Sequence, residues 1–262
     1  MKIVVCIKQV PDTNEVKLDP KTGTLIRDGV PSIINHDDMN ALEEALQLKD
    51  KYKDVEITVL TMGPPQADVA LREALAMGAD RAILLSDRAF AGADTWATSN
   101  TLTAAIKKIG SFDMIFCGRQ AIDGDTAQVG PQVAEKLDLP QVTYVQKMEV
   151  NGDTVTVQRA LEDGYEVIEV KMPCVLTTIK ELNSPRYASV TGIFDAYREK
   201  TVEVWSMKDI EINPEIIGLN GSPTNVRKTF TPDPKGKGSI LEGCDRDTVS
   251  ELFRRLKEKY II

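Results

Sequence analysis

The chain has 262 residues, with 40 acidic against 32 basic side chains and a formal charge of −8. That balance excludes nucleic acid or an anionic membrane surface as the main partner, because both require a basic face, and it suits a cytoplasmic protein. With 42% hydrophobic and 27% charged residues, neither disorder nor a fibrous class is indicated, and the length allows one large core or two modest ones.

The opening stretch, MKIVVCIKQVPD, holds a short apolar run broken by Lys8 and no small-residue cleavage site. It reads as a strand and not a signal peptide. No apolar run is long enough for a membrane span. Similar runs at 55–62, 81–85 and 114–117, with 3–7 itself, are short and lack strict alternation, as expected for strands covered on both faces. Helix-period stretches lie between them at 39–53, 66–77 and 95–109. The glycine of MGAD ends the second, and Asp94 before Thr95 caps the third. Such alternation predicts an α/β fold, doubly wound, with a mainly parallel sheet that binds ligands beyond the carboxyl ends of its strands.

The fourth strand runs into CGRQAIDGDTAQVGPQ, residues 117–132. Asp125 followed by Gln128 has the form of a capping box, which predicts a helix from Thr126. Its free N–H groups would favour an anion at the strand end, with Arg119 as helper. Small residues (Ala121, Gly124, Ala127, Gly130) allow a ligand close to the backbone. Pro131 then lies beyond the first turn, and a kink is expected there. The competing reading is a capped helix after a tight turn, with no ligand. Neither G-x-G-x-x-G nor a P-loop motif is present.

Beyond Pro140 the pattern changes. Two alternating runs joined by Asn151-Gly152-Asp153 predict a β-hairpin, and residues 165–180 read as one further strand returning to the core. From 183 to 243 the sequence is rich in Pro, Gly, Ser and Asn, and reads as a long C-terminal arm lying on a partner. A charged helix over 245–259 closes the chain. Two regions follow: 1–182, an α/β nucleotide-binding domain, and 183–262, a partner-binding arm with its helix. Cys6, Cys117, Cys174 and Cys244 form no Cys-x-x-Cys pair and read as free thiols, so no metal site is expected.

The stretches GRQAIDGDTAQVGP, MKIVVCIKQVPD, LTMGPP, ALAMGADRAILLSDRAFAGADTWATS and LNSPRYASV closely resemble the beta subunit of electron transfer flavoproteins. The resemblance implies that this chain pairs with an alpha subunit carrying its own FAD. It also implies that Gly118, Arg119, Gln120, Ala121, Ile122, Asp123, Gly124, Asp125, Thr126, Ala127, Gln128, Val129, Gly130, Pro131, Gln132 and Val133 wrap an adenine nucleotide. Cys6, Lys8, Asn35, His36, Asp37, Asp38, Met62 and Gly63 would line the same pocket.

The nucleotide is AMP in housekeeping members and a second FAD in electron-bifurcating ones. Gly124, Ala127 and Val129 replace bulkier or more polar groups of the housekeeping pattern and are similar to the bifurcating pattern, as is GADTWATS, where Thr95 and Thr98 would lie near the flavin ring. The resemblance therefore implies FAD, with AMP as the alternative. NADH would be the electron donor, and ferredoxin or flavodoxin one acceptor. The other acceptor, reached through the alpha-subunit FAD, would be a flavin-dependent dehydrogenase of acyl-CoA or 2-hydroxy-acid type. Relatives often carry Pro and an aromatic where His36 and Asp37 stand. His36 reads as a loop histidine, and no residue is assigned as catalytic, since flavin hydride transfer requires no acid–base side chain. Arg186, Tyr187, Ala188, Ser189 and Val190 match the loop that docks on the dehydrogenase, with Val190 as its aliphatic anchor. Two rival functions are a one-way shuttle holding structural AMP and a nucleotide-binding regulatory or assembly protein.

Overall fold

The computed structural model describes residues 1–12, 31–227, 236 and 238–262, so the part of the expected arm at 228–235 and 237 lies outside the described residues. The chain divides into two units, Met1–Arg227 and Lys228–Ile262. In the first, β1 (Lys2–Cys6) is followed by a small antiparallel pair, β2 (Gln9–Pro11) and β3 (Ser32–Ile34), and then by α1 (His36–Lys51). The alternation continues through β4 (Glu56–Met62), α2 (Asp68–Met77), β5 (Arg81–Leu85), α3 (Thr95–Ile109), β6 (Met114–Gly118) and α4 (Val129–Leu137). Next come β7 (Gln141–Asn151), β8 (Thr154–Leu161), β9 (Gly164–Lys171), β10 (Cys174–Thr178), α5 (Val190–Arg198) and β11 (Val202–Trp205).

One nine-stranded sheet has the order β11-β5-β4-β1-β6-β10-β7-β8-β9. It is parallel from β11 to β7, and the β7–β8 and β8–β9 pairs are antiparallel. Successive side chains enter two separate cores. Ile3 and Val5 face the core made with α1 and α2, while Val4 and Cys6 face the one made with α3 and α4. Burial on both faces explains the unbroken apolar runs, and the fold is the doubly wound α/β class.

Local signals placed several elements correctly. Asp94 caps α3 by accepting from the Ala97 N–H at 3.0 Å, Gly78 ends α2 at φ +130°, and Gly152 turns the β7–β8 hairpin at φ +66°. Two readings change. Residues 165–180 form two strands, and β10 leaves the meander to slot between β6 and β7. Residues 183–227 contribute a helix and an edge strand, β11, to the first unit. Gly192 permits α5 to lie on α2, because a Cβ there would stand 2.1 Å from the Ala76 carbonyl oxygen.

In the second unit, α6 (Arg246–Glu258) starts at Asp245, whose side chain accepts from the Thr248 N–H at 2.8 Å. It presents Val249, Leu252 and Phe253 exposed beside a Glu251–Arg254–Arg255 ion cluster. No helix among the described residues is long and apolar enough to cross a membrane.

Candidate functional site

From β1 the sheet runs to β4 and β5 on one side, and to β6 and β10 on the other. The crevice where such an order diverges, beyond the carboxyl ends of β1 and β6, is where doubly wound sheets bind ligands. Cys6 and Cys117 face each other across that point, and the turn 119–128 leaves β6 directly above it.

Three side chains hold this turn. Asn35, fully buried just before α1, donates through Nδ2 to the Gln120 carbonyl at 2.8 Å and accepts from the Ile122 N–H at 3.0 Å. Lys8 reaches Asp123 Oδ1 at 2.6 Å. Asp38 joins the two strand ends, its carboxylate accepting from the Lys8 N–H at 2.7 Å and the Gly118 N–H at 3.0 Å. A Cβ at Gly118 would stand 2.2 Å from Asp38 Oδ1, so glycine is required here by close approach.

The helix after the turn starts later than Asp125 and Gln128 suggested. Asp125 and Ala127 both lie at φ +51°, outside helical backbone. The Asp125 carboxylate accepts instead from Gln120 Nε2 at 2.5 Å, and α4 begins at Val129 with no side-chain cap. Pro131 is then in the first turn, where no intrahelical donor is needed, and no kink follows. With Pro131 lacking an N–H, only Gln128, Val129 and Gly130 offer N–H groups without intrahelical partners at that helix end, so the loop and Arg119 must carry more of any anion. Gly130 lets α4 close on the sheet, since its Cβ would meet Thr177 Cγ2 at 2.7 Å. Val133 is buried in the second core and lines no open space.

The remaining residues surround the turn unevenly. Met62 and Gly63 stand at the carboxyl end of β4. Thr95, at the start of α3, donates to Gln128 Oε1 at 2.8 Å, tying the two helix starts together, while Thr98 is half-buried one turn further in. His36 is the exposed first residue of α1, and not a loop residue. Arg119 lies 3.3 Å from Asp37 through a buried Nε that makes no hydrogen bond. Gln132 Oε1 is likewise buried without a partner. A Cβ at Gly124 would meet nothing within 4 Å. One orphaned donor and one orphaned acceptor beside an open turn fit a ligand that carries both an anionic oxygen, for Arg119 Nε, and an N–H or O–H, for Gln132 Oε1.

Sequence reasoning missed Thr178 and Tyr144. Thr178 accepts the Arg119 N–H on its carbonyl and donates its hydroxyl to the Asp37 carbonyl, both at 2.9 Å. The Tyr144 ring lies 5.8 Å from the Arg119 guanidinium. Neither stands in a recognisable motif.

Among the docking residues, Arg186 is committed within the chain. It holds Glu43 at 2.9 Å and Asp50 at 2.7 Å. Ala188 packs on the first core. Ser189 caps α5, accepting from the Gly192 N–H at 2.9 Å. Tyr187 and Val190 are 98% and 86% exposed, and Val190 belongs to a helix with Ile193, Phe194 and Tyr197 also exposed.

Burial pushes the Asp38 carboxyl up to about 7, against the two N–H donors that favour its charge. Burial also raises Asp37, with Arg119 opposing. A folded-state value above the unfolded one means that the folded chain holds the proton more tightly. The stability so conferred is complete below the ordinary value of 3.8 and is lost as pH rises to about 7. The span corresponds to at most about 4 kcal/mol. Asp38→Asn should therefore flatten the pH dependence of the denaturation midpoint across that window, leaving the smaller slope from Asp37, Glu44 and Glu73. Equal slopes in variant and wild type would show that Asp38 titrates normally.

An electron transfer flavoprotein domain model matches residues 22–210. The chain is 60% identical over 262 residues to the electron transfer flavoprotein subunit beta of Thermoanaerobacterium thermosaccharolyticum, covering all of both chains. It is 59% identical over 263 residues to the caffeyl-CoA reductase–Etf complex subunit CarD of Acetobacterium woodii, again over the whole of both. With the acryloyl-CoA reductase electron transfer subunit gamma of Anaerotignum propionicum it shares 51% identity over 269 residues, with both chains fully covered.

Proposed function

The chain belongs to the electron transfer flavoprotein family as a beta subunit, and on that premise we propose that it binds FAD in the turn above β1 and β6 and works in a cytoplasmic electron-bifurcating complex. The observation that carries the reading is the open space over Gly124, within a turn otherwise clamped by Asn35, Lys8 and Asp38. Two of the relatives take their names from acyl-CoA reductase complexes, which supports an acyl-CoA-type dehydrogenase as partner over a 2-hydroxy-acid one.

In this reading Arg119 and the free N–H groups of Val129 and Gly130 hold the phosphates, and the residues around Gly124 leave room beyond the adenylate. Thr95 and Thr98 stand on the side where the flavin ring would extend. A bound flavin would supply the redox chemistry, hydride acceptance from NADH and single-electron release towards ferredoxin or flavodoxin and, through the alpha-subunit FAD, towards the dehydrogenase. The protein contributes position and a rigid floor. Asp38 and Asn35 fix the turn to the strand ends, so the phosphate donors are arranged before any ligand arrives.

Coexpression with the alpha subunit, followed by release and counting of nucleotides, tests this. Two FAD per heterodimer is the expected result. One FAD with one AMP would make the chain a one-way shuttle, and no flavin would make it a regulatory or assembly protein. Gly124→Val should weaken beta-site affinity at least about fivefold while leaving the alpha-site flavin and the fold intact, since about 1 kcal/mol of obstruction already gives that factor. Wild-type affinity in the variant would mean that the ligand does not pass over this glycine.

A further inference from the structure

We propose that Tyr144 is a positioning residue for nucleotide binding, holding Arg119 in its working orientation from a strained point in the sheet. The proposal rests on the reading of the turn as a nucleotide site. Val142 and Val145 of β7 face Leu176 and Thr178 of β10, so that Thr143 and Tyr144 together oppose Thr177 alone. This is a bulge, and Tyr144 takes the left-handed conformation within it at φ +57°. Glycine is the usual occupant of a left-handed bulge position, because a side chain there is strained and a bulky one most of all. The displaced Tyr144 N–H is recaptured by Thr177 Oγ1 at 3.2 Å.

The bulge brings the aromatic ring to Arg119. The guanidinium lies 5.8 Å from the ring centroid, within range of a cation–π contact. Asp37 Oδ2 lies 3.3 Å from Arg119 Nε, without a hydrogen bond. The Arg119 backbone is fixed by its N–H to the Thr178 carbonyl, and Thr178 in turn holds the Asp37 carbonyl. The side chain thus has an aromatic ring near its guanidinium carbon and a carboxylate near its Nε. Arg119 is the sole basic residue of 117–132. A free arginine would lose much rotamer freedom on gripping a phosphate, and a pre-positioned one loses less. A tyrosine at a position suited to glycine is explained by this contact. The ligand class served is a phosphate or pyrophosphate ester of adenosine.

The test uses the heterodimer stripped of its beta-site nucleotide and titrated calorimetrically with AMP and with FAD. Tyr144→Phe keeps the ring and should bind within about twofold of wild type. Tyr144→Gly relieves the backbone and should raise the Tm of the stripped complex, yet weaken binding about five- to tenfold. Tyr144→Asn, whose side chain also tolerates the left-handed region, should weaken binding likewise and serves should the glycine variant not assemble. In a double-mutant cycle, Tyr144→Gly should add nothing once Arg119→Ala has been made. Wild-type affinity in the glycine or asparagine variant, a loss in the phenylalanine variant as large as in the glycine one, or a full further loss on top of Arg119→Ala would each overturn the proposal. A wild-type site that takes neither nucleotide would overturn the nucleotide reading, and this proposal with it.

Discussion

Gly118→Ala should lower stability by about 3 kcal/mol or more and abolish nucleotide binding with it. Its φ is not left-handed, so the requirement for glycine is purely steric. An added Cβ would lie 2.2 Å from Asp38 Oδ1, 2.7 Å from the Asp38 backbone nitrogen and 2.8 Å from the Asp37 carbonyl carbon. The carboxylate cannot swing aside freely, because its other oxygen is held by the Lys8 N–H. Either α1 is pushed away from β6, or Asp38 leaves and strands two N–H groups. Overpacking costs about 1–3 kcal/mol and each unpaired buried donor about 1–3 more. Gly124→Ala is the control, since its Cβ meets nothing, and it should stay within about 0.5 kcal/mol of wild type. Denaturant midpoints at constant m-value measure both. A Gly118→Ala midpoint like that of the control would show that the strand end and α1 are not so closely joined.

Val190→Asp should reduce electron delivery to the partner dehydrogenase at least about tenfold while leaving this chain folded. Val190 is 86% exposed and is the first residue of α5, so its removal empties no core. An acidic residue in the first turn is favoured by the helix dipole, so Tm should hold or rise slightly. Burying an aliphatic side chain in a partner pocket is worth about 1.5–3 kcal/mol, and 1.4 kcal/mol already gives tenfold in affinity. Ile193, Phe194 and Tyr197 extend the exposed apolar surface along the same helix. Flavin content, heterodimer assembly and NADH oxidation with an artificial acceptor should remain near wild type. A variant that loses flavin or dissociates would place Val190 inside the structure. One that feeds its dehydrogenase at the normal rate would remove it from the docking surface.

Much of the fold was legible because its causes are local. Helix α3 was placed at 95–109 by its own periodicity and the Asp94 cap, and β5 by an apolar run bounded by polar residues. The site turn was found, but its conformation was misread. The capping-box pattern at Asp125–Gln128 is satisfied in sequence, whereas Asn35 and Lys8, from far along the chain, impose a different backbone on it. The Tyr144 bulge has no signal of its own, since it arises from pairing with β10. Helix α5 and strand β11 were read as arm because each is short. The apolar residues of α5 largely face outward, so the usual core-facing stripe is missing.

The place of β10 bears on the order in which the protein can be built. Its neighbours, β6 and β7, are both synthesised before it, and every bond that Thr177 and Thr178 make to Tyr144, Arg119 and Asp37 awaits it. A nascent chain that has not reached residue 174 carries two unpaired parallel edges flanking an empty slot, the kind of surface that recruits strands from other chains. Closing the slot seals the sheet and adds the Thr178 contacts at Arg119 and Asp37 to the turn. Ribosome-bound chains halted before β10 should therefore be the aggregation-prone ones.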